Sequence, residues 1–122
     1  MAVVRYMVDD AEASATFYCD LLGFSVEQRL GPIVIVARDD LRLWLAGPGT
    51  SARRPMPDGQ TPQPGGWNRI VIEADDLDAL VASLRASGAR FRNEIISGPG
   101  GRQILAEDPS GNPIELFEAR NA

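Results

Sequence analysis

Apolar and polar residues alternate from Val3 to Val8 (VVRYMV), pause at Asp9-Asp10, and then give way to an apolar stripe with helical spacing. The same order recurs half a chain later. Arg69 to Ala74 (RIVIEA) alternates, Asp75-Asp76 interrupts, and a second stripe follows. The first stripe is Ala11, Ala15, Tyr18 and Leu22, widened by Phe17 and Leu21; the second is Leu77, Leu80, Val81 and Leu84. A period of two predicts strands, and recurrence at i, i+3, i+4 and i+7 predicts amphipathic helices. The Asp pairs stand where N-caps belong, and Glu12 and Asp78 place favourable charge in each first turn. Gly23 and Gly88 are the predicted helix stops.

Three strand-like stretches follow each helix. They are Phe24–Leu30, Pro32–Arg38 and Leu41–Ala46 in the first half, and Arg90–Ile96, Gln103–Glu107 and Pro113–Glu118 in the second. Turn-forming residues lie between them at Gly31, Asp39-Asp40, Ser97–Gly101 and Asp108–Asn112. Each half therefore reads βαβββ: module one over about 1–46, module two over about 67–120, within a single domain spanning 1–122. Segment 47–66 (GPGTSARRPMPDGQTPQPGG) joins them without periodicity, and reads as a tether, a lid, or both.

Composition narrows the function. The formal charge is −5, and the basic residues are all Arg, with no basic stripe; that argues against nucleic-acid binding. No apolar run is long enough for a membrane span, and no signal peptide is evident at the N-terminus. The lone Cys19 fits a reducing, cytoplasmic setting. The chain has no His, so it lacks the commonest metal ligand and the commonest general base, and its serines have no triad partner. GPGGR (Gly98–Arg102) precedes a strand, not a helix, and reads as a hairpin turn.

The paired modules, together with ATFYCDLLGF and EDPSGNPIELFE, resemble the glyoxalase/bleomycin-resistance/dioxygenase superfamily, the vicinal oxygen chelate proteins. The likeness runs from Val3 to Glu118. It implies an α+β fold in which two βαβββ modules form a curled mixed sheet around a cavity, in a dimer. In metal-using members the ligands come from the first and last strands of each module. Carried over, those positions are Val3, Trp44, Arg69 and Glu115, of which only Glu115 can hold a divalent ion. A divalent ion of this kind needs three or more suitable ligands, so the expectation is no metal and no other cofactor. Glu115 is instead placed to pair with Arg69.

Alternation assigns one face of each strand to an aliphatic core and leaves the other mixed. The mixed faces carry Val3, Arg5 and Met7; Arg42 and Trp44; Arg69; and Glu115 and Phe117. With Trp67 before the fifth strand, these nine residues are the candidate ligand-binding set. Trp44 and Phe117 offer stacking surfaces, and the arginines can stack on a ligand or bind its oxygens. Trp44 reads equally as a core or interface tryptophan, and Trp67 as an anchor for the segment before it.

The resemblance to the non-metal, antibiotic-binding branch implies a cytoplasmic, homodimeric protein that sequesters a hydrophobic or aromatic small molecule. No nucleic-acid or membrane partner is expected. The alternative is a metal-independent isomerase or cyclase with Glu115 as acid or base.

Overall fold

The structure, a computed structural model, describes residues 1–120. The chain forms two compact units, one of Met1–Gly65 with Pro109–Asn112 and one built from Gly66–Asp108 and the chain from Pro113 onward. The architecture is α+β.

In the first unit, β1 (Ala2–Met7), α1 (Ala11–Leu22), β2 (Ser25–Leu30), β3 (Ile33–Arg38) and β4 (Leu41–Ala46) follow in order. The sheet order is β1-β4-β3-β2, with β1 parallel to β4 and the remaining pairs antiparallel. A parallel pair needs a crossover between its strands, and α1 followed by the β2–β3 hairpin provides it. Asp10 caps α1 by accepting from the Ala13 amide at 3.1 Å, and Gly23 ends it at φ 75°. That left-handed conformation costs glycine little. The helix lays Ala15, Tyr18 and Leu22 over Val34, Val36, Leu43 and Leu45, all buried. Burying each of the larger aliphatic side chains contributes roughly 1.5–3 kcal/mol. Phe17, Tyr18 and Phe24 meet edge-to-face at 5.3 and 5.4 Å between centroids.

In the second unit, β5 (Ile70–Glu73), α2 (Leu77–Ala86), β6 (Arg90–Phe91), β7 (Ile96–Gly98), β8 (Gly101–Glu107) and β9 (Pro113–Ala119) repeat the plan. The order is β5-β9-β8-β6, with β7 also on β8 and β5 parallel to β9. Ile70, Ile72, Leu77, Leu84, Ile104, Ile114 and Leu116 form its core. Two acceptors hold the start of α2. Asp76 takes the Ala79 amide at 3.0 Å, and Glu118, reaching from β9, takes the Leu77 amide at 2.9 Å. Gly101 must be glycine, because a Cβ there would collide with the carbonyl oxygen of Glu118.

One local expectation is corrected. The stretch Arg90–Ile96 is two short strands, β6 and β7, because the Asn93 side chain takes the Leu105 amide at 2.9 Å and replaces a backbone acceptor of the ladder. α2 ends at Ala86 with Ser87 as its cap, and Gly88 stops it as expected, at φ 82° with its amide on the Arg85 carbonyl at 3.0 Å. Segment 47–66 contains a 3-10 turn at Ser51–Arg53. The Arg53 guanidinium donates to the carbonyls of Val8 (2.6 Å) and Ala46 (3.4 Å), tying the segment to the residues that end β1 and β4, and to that of Pro62 (3.1 Å) within the segment itself.

The turn Pro109–Asn112 lies in the first unit although its neighbours in sequence lie in the second. Asn112 donates to the Met7 carbonyl at 2.7 Å and accepts from the Gly65 amide at 2.8 Å. Ser110 Oγ accepts from the Asp9 amide at 2.8 Å.

Candidate functional site

In the first unit, the face opposite α1 gathers five of the nine expected residues. Val3 is level with Arg42 and Arg5 with Trp44. The antiparallel partner adds Ile35 beside Trp44 and Ala37 beside Arg42. Met7 is half-buried at the end of β1, while Val3 is 48% exposed. The Arg5 guanidinium lies over the Trp44 ring, 5.0 Å from its centroid, within cation–π reach. A register shift between Val26 and Gln28 turns Glu27 out of the β2–β3 ladder. Its carboxylate grips Arg42, from Nε to Oε1 and from Nη2 to Oε2 at 3.3 Å. That hydrogen bond, more than the charge itself, holds the Glu27 carboxyl below its ordinary pKa. A bulge that re-aims a side chain is a common device in sheets. The face is therefore an aromatic and aliphatic surface whose two arginines are already engaged.

In the second unit, the corresponding face carries the other four expected residues or their immediate neighbours. Arg69 precedes β5; Glu115 on β9 is level with Val71 and Leu105, and Phe117 with Glu73 and Gln103. Arg69 donates from Nε and Nη2 to Glu115 Oε1 at 3.2 and 3.0 Å, and from Nη1 to the Trp67 carbonyl at 3.3 Å. The two side chains are only 29% and 14% exposed, so the pair is shielded from solvent more than a surface ion pair. Trp67 projects outward, and the Arg92 guanidinium covers it at 4.6 Å from the centroid.

Sequence reading missed Arg92 and its partner Glu107. Arg92 Nε meets Glu107 at 2.8 Å, Arg90 meets it at 3.4 Å, and Arg92 Nη1 donates to the Gly66 carbonyl at 2.6 Å. The alternation of β8 puts Glu107 on the Leu105 face, a signal that was available. Arg92 gave none, since it leaves the strand pattern just after β6.

The second unit also holds a recess of about 580 Å³ lined by Glu73, Asp75, Ser97, Arg102, Glu118 and Arg120. It contains none of the nine expected residues. Arg102 is taken up by Asp78 at 2.9 Å and Glu118 at 3.0 Å. Glu118 is held below its ordinary pKa first by the Leu77 amide and then by Arg102, and Asp78 by Arg102.

The residues do not fit the metal of the family's metal-using members. Among the described residues, no three His, Cys, Asp or Glu side chains converge. The strand position level with Val3 is Arg42 rather than Trp44, and none of these three offers a ligand. The one carboxylate, Glu115, is bonded to a permanent cation.

Two mixed sheets of four and five strands, each closed by a parallel pair and carrying one helix on its core face, define a paired-module α+β protein of the vicinal oxygen chelate type. Residues 1–116 match the Glyoxalase/Bleomycin resistance protein/Dioxygenase superfamily, and the chain belongs to it. It is similar to a member of that superfamily from Sphaerobacter thermophilus, with 27% identity, a TM-score of 0.76, and coverage of 97% of this chain and 95% of that one. It is also similar to TnmS3, an antibiotic binding protein from a Streptomyces strain (27% identity, TM-score 0.73, coverage 97% and 93%). Lactoylglutathione lyase from Agrobacterium tumefaciens shares the fold at 23% identity, with a TM-score of 0.72 and coverage of 97% and 92%. Among the described residues no helix is long and apolar enough to cross a membrane.

Proposed function

We propose that this chain is a small-molecule binding protein that sequesters a hydrophobic or aromatic antibiotic or natural product, acting by binding without chemistry, as a cytoplasmic homodimer. The observation that carries the reading is the face around Trp44: an indole covered by Arg5, with half-buried Ile35 and Met7 on the same face, and Arg42 already paired with Glu27. Apolar walls with a few fixed polar groups suit such ligands. The likeness to an antibiotic binding protein supports the same reading. The enzymatic alternative asks Glu115 to move protons, yet its Oε1 already accepts two N–H bonds from Arg69.

The test is native mass spectrometry of the purified protein against a panel of aromatic and peptide antibiotics. Sequestration predicts a dimer carrying one unmodified compound per chain, and Trp44→Ala should weaken that complex at least tenfold, as loss of a stacking anchor does. Retention of a divalent metal, or release of a chemically altered compound, would overturn the proposal.

A further inference from the structure

Trp67 is 68% exposed, the most exposed aromatic among the large apolar side chains left at the surface. It is nevertheless fixed. Arg92 stacks on one side of the ring, 4.6 Å from its centroid. Arg92 is itself held by Glu107 at 2.8 Å and by the Gly66 carbonyl at 2.6 Å. Arg69 holds the Trp67 carbonyl at 3.3 Å, and Gly66 turns the chain into the tryptophan at φ 84°. A solvated indole restrained at both its ring and its backbone loses little freedom when a second ring lies against it, and that preorganisation favours stacking.

The charge around it is equally specific. Beside the ring, the guanidiniums of Arg69, Arg90 and Arg92 gather around the carboxylates of Glu115 and Glu107. Arg90 is 64% exposed and spans 3.4 Å to its partner, the loosest contact of the group. Three arginines at one exposed indole, in a chain of net charge −5, favour an acid over a cationic ligand. Guanidiniums bind carboxylate and phenolate oxygens through directed, charge-assisted bonds.

We infer that Trp67, Arg69, Arg90 and Arg92 form a subsite for a planar aromatic acid, one bearing a carboxylate or phenolate on the ring. This deepens the proposed function and rests on it. The ring lies on the open side of Trp67, and its acid group turns to the arginine cluster.

The chain has two tryptophans, which makes the two regions separately visible. Trp44→Phe leaves Trp67 as the sole indole reporter, and Trp67→Phe leaves Trp44. Each variant is titrated with anthracenecarboxylate and with uncharged anthracenemethanol, whose absorption overlaps indole emission. In the Trp44→Phe protein, anthracenecarboxylate should quench with about tenfold higher affinity than the alcohol, the scale of one charge-assisted bond. That preference should shrink as salt rises. Arg92→Gln, checked for an unchanged circular dichroism spectrum, should reduce it to roughly threefold or less. Equal affinities at Trp67, or quenching seen only in the Trp67→Phe protein, would overturn the subsite and leave the Trp44 face as the binding region. Silence from both tryptophans would overturn the subsite and count against sequestration of planar aromatics altogether.

Discussion

Ser14 lies on α1 at 0% exposure, and its Oγ has no hydrogen-bond partner. A buried hydroxyl without a partner costs about 1–3 kcal/mol. Ser14→Ala removes that cost and adds up to about 0.5 kcal/mol of helix propensity. The oxygen leaves a space on the order of 10 Å³, worth about 0.2 kcal/mol against the substitution. Ala11 and Ala15 already occupy neighbouring buried positions of the helix, so an alanine methyl fits the local packing. The net expectation is a stabilisation of about 1–3 kcal/mol, set by the unmet hydroxyl itself. For a chain of this size each kcal/mol raises Tm by about 3–6 °C. Urea unfolding should show a higher midpoint at an unchanged slope, which separates a stability gain from a change in compactness. A neutral or destabilising result would mean that the hydroxyl is satisfied in solution and that the reasoning is wrong.

Two further perturbations probe other links of the chain. Arg53→Ala releases segment 47–66 from the carbonyls of Val8 and Ala46 and breaks its internal bond to Pro62; it should cost about 2 kcal/mol and speed thermolysin cleavage between 54 and 64, and unchanged cleavage would show that the segment is held elsewhere. Glu118 has a depressed folded pKa, so its contribution is complete above the ordinary carboxylate range and is lost as pH falls through the folded value. Thermal melts should therefore be flat above about pH 5 and decline below it. Glu118→Gln, which can still accept the Leu77 amide, should flatten part of that decline; an identical acid slope would refute the assignment.

The fold was legible where a single residue decides a local structure. Asp10, Asp76 and Gly23 act where their chemistry says they should, and β4 has the expected bounds. Alternation also placed Val3, Arg5, Met7, Arg42 and Trp44 on one face, because a strand's pleat leaves no other choice. The Arg69–Glu115 pair was legible for a different reason, the family's own spacing. What escaped depends on side chains that meet across strands. Nothing local says that Asn93 replaces a backbone acceptor of β8, that Glu27 stands out at a bulge, or that Arg92 stacks on Trp67. Twelve basic residues face seventeen acidic ones, and only the register says which of them pair.

Pro109–Asn112 carries a consequence for how the protein is made. Ser110 and Asn112 complete the first unit across separations of 101 and 105 residues, so the amino-terminal half leaves the ribosome with its Met7 carbonyl and Asp9 amide still awaiting partners. Closing a loop that long costs chain entropy that grows only as the logarithm of its length, but it delays the contacts that reward it. The gene therefore reads as a duplication, yet the product is not two separable copies. A fragment ending at residue 65 would translate one whole repeat and still lack four residues of its own unit.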